Sequence, residues 1–88
     1  MVRQPLTPEQ IAAGQRLGAA LRSARADRSL GEVAVAAGIS PETLRKIEAG
    51  RLPAPAFGTV VCLSQALAVP LESLAEVWLA GMPVRQAS

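Results

Sequence analysis

The chain has 88 residues, enough for one compact core but too few for a separate catalytic or ligand-sensing domain. Hydrophobic residues make up 50%, mostly Ala, Leu and Val, and with one Cys and no His there is no material for a disulfide, a zinc cluster or a His-assisted nucleophile, so no metal, cofactor or enzymatic activity is expected. Net charge is only +2 but uneven: from Arg16 to Arg51 seven bases face four acids, whereas from Leu52 to Val84 only Glu72 and Glu76 are charged, which suits a polyanion-binding part joined to a partner-binding part.

No apolar stretch approaches the roughly 18 residues that span a bilayer, and Met1 to Gln10 lacks a signal peptide's apolar run, so a cytoplasmic protein is expected. Residues 1–6 read as a disordered lead-in, 7–82 as the folded domain and 83–88 as a flexible tail. Thr7-Pro8-Glu9-Gln10 supplies an N-cap, a proline at the first helical position and a Gln that completes a capping box. Ile11, Leu17, Leu21 and Ala24 then share one face of a first helix that is expected to reach about Arg28. Gly14 and Gly18 weaken its first half, each costing about 1 kcal/mol against Ala.

Ser29-Leu30-Gly31-Glu32 repeats the capping pattern and opens a short second helix over about Leu30 to Ala37. Gly38 ends it, because glycine takes the left-handed conformation at little cost, and Ile39 follows as a buried link. Ser40-Pro41 starts a third helix that runs to about Ala49, with Gly50 as its stop. Arg51 to Pro55 is a stiff loop. Phe57, Val60, Val61, Leu63, Ser64 and Leu67 mark a fourth helix over about Ala56 to Ala68, and Pro70 opens a fifth whose inner face is Leu71, Leu74 and Val77 or Trp78. With no alternation long enough for a strand, the chain reads as all-α, five helices around one core.

The informative stretch is Ser29 to Gly50: short helix, Gly-centred turn, second helix. Ala34 is small where the two helices must cross, and Ile39, Leu44 and Ile47 are apolar on the inner side. Such a pair forms a helix-turn-helix, which presents its second helix to the DNA major groove. Pro41, Glu42, Arg45, Lys46 and Ala49 share the outer face of that helix.

These residues resemble the lambda-repressor-like, or Cro/XRE-type, family of DNA-binding proteins. The resemblance is carried by Leu17-Gly18, Leu21-Arg22 and Arg25, by Val33-Ala34, Ala37-Gly38-Ile39-Ser40 and Leu44, and by Ile47-Glu48-Ala49-Gly50 and Leu67-Ala68-Val69-Pro70-Leu71. It spans about Leu17 to Leu74 and is closest in character to the small Ala- and Arg-rich members of high-GC bacteria. It implies a five-helix fold, recognition by the third helix, and a homodimer on a partly palindromic double-stranded operator, acting as a transcriptional regulator. Repression by blocking polymerase and activation by touching it both stay open.

Carried over by position, the resemblance puts base reading on Pro41, Glu42 and Lys46, with Thr43 and Arg45 near the groove walls. Ser40 and Arg51 fall where relatives touch phosphates. Arg25 and Glu48 match a buried salt bridge between the first and third helices. The chain departs from relatives in lacking two residues, often Gly-Leu, ahead of Ser29, and in having Leu30 and Gly31 where a polar residue often holds a phosphate.

Plainer readings stand beside these. Glu48 could pair on the surface with Arg45, and Arg45 and Lys46 could be solvated charges. Pro41 is first a helix starter. Glu42 can accept from a cytosine amino group or simply favour a helix N-terminus. Cys62 reads as a small core residue. Trp78 either caps the core or joins Leu79 and Met82 in an apolar edge that pairs two copies. Two other functions fit the same fold: an antitoxin whose acidic part or tail binds a toxin, and a protein-binding adaptor without DNA affinity.

Overall fold

The computed structural model describes residues 5–81. Five helices follow in order, α1 Pro8–Arg25, α2 Leu30–Ala37, α3 Pro41–Glu48, α4 Phe57–Leu67 and α5 Leu71–Leu79, and the described residues contain no strand. The expected tail at 83–88 and Met82 lie outside the described residues. Among those described, no helix is long and apolar enough to cross a membrane.

Three helix starts follow from capping chemistry. Thr7 Oγ1 accepts from Gln10 N at 3.1 Å while Gln10 Oε1 accepts from Thr7 N at 2.9 Å, and Ser29 and Ser40 accept from Glu32 N and Thr43 N. Three helix ends share one geometry as well. At Gly38 (φ 73°), Gly50 (φ 79°) and Ala68 (φ 56°) the chain turns left-handed, and the next amide reaches back to Ala34 O, Lys46 O and Ser64 O respectively.

The first helix stops at Arg25, short of the expected Arg28. Ala26 has φ 54°, outside helical space, and the turn is closed by Arg25 Nη1 donating to the Arg28 carbonyl at 2.8 Å. This tight closure spans the junction between α1 and α2.

The core is Leu17, Leu21, Val33, Ala34, Ala37, Leu44, Ile47, Leu63, Leu67 and Leu74, with Ile39, Val60 and Trp78 packed against it. α1 touches α3, α4 and α5, and α2 lies against α3 and α4. Gly14 and Gly18 are contact points rather than weak points: a Cβ on either would fall 2.3 Å from Pro53 Cα or 2.2 Å from Ile47 O. Three expected inner residues lie outside. Ile11 and Phe57 are exposed, and Cys62 is exposed rather than in the core. The inner face of α4 is Val60, Leu63, Ser64 and Leu67, and Phe57 and Cys62 fall off that stripe.

Candidate nucleic-acid interface

The surface is built on α3. Ser40 caps it, Pro41 pre-sets its first turn, and Leu44 and Ile47, at 0% and 1% exposure, fix its inner side to the core. That leaves Pro41, Glu42, Arg45 and Ala49 exposed, with Lys46 half-buried among them. The left-handed turn at Gly38 joins α2 to α3 through three residues.

Arg25 and Glu48 bind each other through two parallel hydrogen bonds, Nε to Oε2 at 2.8 Å and Nη2 to Oε1 at 3.0 Å. The side chains are 18% and 7% exposed, so the pair lies between α1 and α3 and the alternative of Glu48 pairing with Arg45 does not occur. Hydrogen bonding to Glu48 holds the Arg25 guanidinium above its ordinary pKa, against a smaller opposing pull from desolvation. The orientation of α3 is therefore set by a directional clamp as well as by packing.

Two other arginines do work that the sequence did not reveal. Arg16 donates from Nε to Val77 O at 3.1 Å and from Nη2 to Trp78 O at 2.8 Å, at the end of α5. Arg28 Nη1 donates to Ala66 O at 2.9 Å, at the end of α4. Neither α4 nor α5 has a basic residue in its last turn, so α1 and the turn after it supply the cations that their C-terminal carbonyls favour. The basic surplus of the first half thus shrinks to Arg22, Arg45, Lys46 and Arg51. Among the described residues, no side-chain hydrogen bond or ion pair uses the guanidinium of Arg22, Arg45 or Arg51.

The predicted contact residues separate into four sets. Glu42 and Lys46 lie side by side on the open face, Oε2 to Nζ 4.0 Å, an exposed i,i+4 pair worth about 0.3–0.5 kcal/mol. Ser40 Oγ accepts from Thr43 N and donates to Thr43 Oγ1 at 2.8 Å, which leaves the Thr43 hydroxyl hydrogen as the free donor of the two. Arg51 is exposed just past Gly50, its backbone amide engaged with Lys46 O. Arg45 sits apart, in a polar groove of about 360 Å³ shared with Arg22, Arg25, Leu30, Glu48 and Ala49.

A model of the helix-turn-helix domain family matches residues 16–77, more than half of the chain. The chain belongs to the helix-turn-helix domain family. Its structure is similar to that of the clp gene regulator ClgR from C. glutamicum, with 29% identity and a TM-score of 0.66 over 93% of this chain and 100% of that one. No curated protein matches the sequence.

The second surface of this helix-turn-helix domain is apolar and shares no residue with α3. Leu17, Ala54, Pro55, Phe57, Val60, Leu74 and Trp78 line a groove of about 260 Å³. Phe57 at its edge is 73% exposed and Leu79, one residue beyond Trp78, is 61% exposed. Trp78 itself is half-buried, packed on the core while lining the groove.

Proposed function

We propose that this helix-turn-helix domain binds double-stranded DNA sequence-specifically as a homodimer and regulates transcription in the cytoplasm. The observation that carries the reading is α3 itself: its inner side is locked by Leu44, Ile47 and the Arg25–Glu48 clamp, while its outer side offers donors and an acceptor with nothing packed over them. A rigid helix of 10–12 Å diameter fits a major groove about 12 Å wide. Pro41, Glu42 and Lys46 then face base edges, and Thr43 and Arg51 hold the backbone on either side. The similar ClgR structure is that of a gene regulator, which supports a regulatory outcome.

Homodimer formation is supported by the apolar groove and by exposed Phe57 and Leu79, which a second copy would remove from water. Selection from randomised duplexes tests the whole reading. The expected product is a partly palindromic site with half-sites about one helical turn, roughly 34 Å, apart. Recovery of no preferred sequence would overturn sequence-specific binding, and a strict monomer by sedimentation both on and off the selected duplex would overturn the dimer.

A further inference from the structure

The groove between α1 and α3 holds three guanidiniums against one carboxylate. Arg22 and Arg25 stand one turn apart on α1, Arg45 and Glu48 one turn apart on α3, with Leu30 and Ala49 completing the lining. Glu48 is already occupied by Arg25 through both oxygens. Arg25 also spends Nη1 on the Arg28 carbonyl, so it is a fixed wall rather than a free ligand. The charge left over belongs to Arg22 and Arg45. Both are exposed, and neither has an acceptor among the described residues. Two like charges bordering one concavity repel unless an anion sits between them.

We propose that this groove takes a phosphodiester of the DNA backbone, gripped by Arg22 and Arg45. The inference rests on the reading of α3 as the recognition helix. Its geometric warrant is that a helix nearly fills the major groove, so a side chain on the flank of α3 meets the sugar-phosphate wall instead of the base edges. Arg45 is such a side chain: it points into the groove shared with α1, whereas Lys46 stands beside Glu42 on the open face. Leu30, the first residue of α2, offers no side-chain donor here, and the two arginines supply what it lacks. Arg45, placed near the groove wall by the family resemblance, thereby holds the backbone, and Arg22 joins the interface.

The test compares wild type, Arg22→Gln, Arg45→Gln and the double variant on the selected duplex and on unrelated duplexes over a range of salt. Circular dichroism and melting verify that the exposed substitutions leave the fold intact. Each single variant is expected to weaken all duplexes by a common factor and to leave base preference unchanged. The two losses should not add, because both arginines grip one phosphate, and the salt slope should fall by about 0.9 in total. Replacing single phosphates by uncharged methylphosphonates should reveal one position at which wild type and double variant bind equally.

Several results would overturn the assignment. One is a changed base preference in Arg45→Gln, and another is an unchanged salt slope in both variants while Lys46→Ala and Arg51→Ala still weaken binding; these remove the groove and leave the reading of α3 standing. Wild type that binds no duplex removes both. Amide shifts at Arg22 and Arg45 on adding inorganic phosphate, with no such shifts on adding duplex, would assign the groove to a free anion instead.

Discussion

Gly18 on α1 lies directly against the backbone carbonyl of Ile47 on α3, so close that a Cβ would stand 2.2 Å from that oxygen. Backbone cannot yield as a flexible side chain can. Gly18→Ala is therefore expected to destabilise the domain by about 1–3 kcal/mol, although Ala is worth about 1 kcal/mol more than Gly in a helix interior. Gly14→Ala should behave alike against Pro53. Urea unfolding is the measurement, and an increase in stability would show that α1 stands farther from α3, for Gly18→Ala, or from the Pro53 loop, for Gly14→Ala, than described.

The Arg25–Glu48 clamp is asymmetric in burial, and its two removals should differ. Arg25→Ala strands a carboxylate that is 7% exposed and also opens the turn closed at the Arg28 carbonyl. A loss of about 3–5 kcal/mol is expected. Glu48→Ala strands a guanidinium that is 18% exposed and can reach water, so its loss should be smaller, about 1–3 kcal/mol. Equal losses below about 1 kcal/mol would show a solvent-screened pair.

Arg16 should matter for stability and not for DNA. Its guanidinium bonds the Val77 and Trp78 carbonyls, and Arg16→Met keeps much of the stem while removing those bonds. The expected cost is about 1–2 kcal/mol, with α5 loosened first. Duplex affinity and salt slope, measured below the melting transition, should be unchanged. A slope reduced by about one unit would instead mark Arg16 as a phosphate contact.

What was legible in the sequence was what is local. Thr7, Ser29, Ser40, Gly38 and Gly50 satisfy or turn the backbone within a few residues, so the starts of α1, α2 and α3 and the ends of α2 and α3 could be placed from the chain alone. The Arg25–Glu48 pair was legible only through the family resemblance, since nothing local couples positions on α1 and α3. Gly14 and Gly18 were misread because close approach to Pro53 and Ile47 is a tertiary fact. Arg16 and Arg28 were counted toward the polyanion-binding part because their acceptors, Val77, Trp78 and Ala66, are far along the chain. In Val60-Val61-Cys62-Leu63 every residue is apolar, so the run does not say which side faces in. Only packing shows Cys62 outside.

Ala68 occupies the left-handed position that Gly38 and Gly50 fill at the ends of α2 and α3. Its side chain is exposed and packs on nothing that would be lost. A left-handed L-residue costs roughly 1–2 kcal/mol, partly offset by the greater unfolded-state freedom of glycine. Ala68→Gly is thus expected to stabilise the domain by about 0.5–1 kcal/mol, a rise of a few degrees in Tm. Ala26→Gly should act in the same direction, and a fall in Tm for both would refute the assigned backbone.

Lys46 and Arg51 separate base reading from backbone holding. Lys46 stands on the open face of α3 beside Glu42, one turn away, where a major-groove helix meets base edges. Arg51 follows Gly50, beyond the helix end, where the chain turns away and a phosphate is the nearer partner. Lys46→Ala should cost about 1–3 kcal/mol on the selected duplex and relax preference at one base position. Part of that loss returns if Glu42, freed of its weak pair, repels the duplex less when neutral, so Lys46→Ala with Glu42→Gln should bind more tightly than Lys46→Ala alone. Arg51→Ala should weaken every sequence by a similar factor and lower the salt slope by about one unit. Competition titration against randomised duplexes at two salt concentrations distinguishes the patterns. If both variants, and the pair combined, keep wild-type affinity and preference, α3 does not read DNA and the domain has another partner.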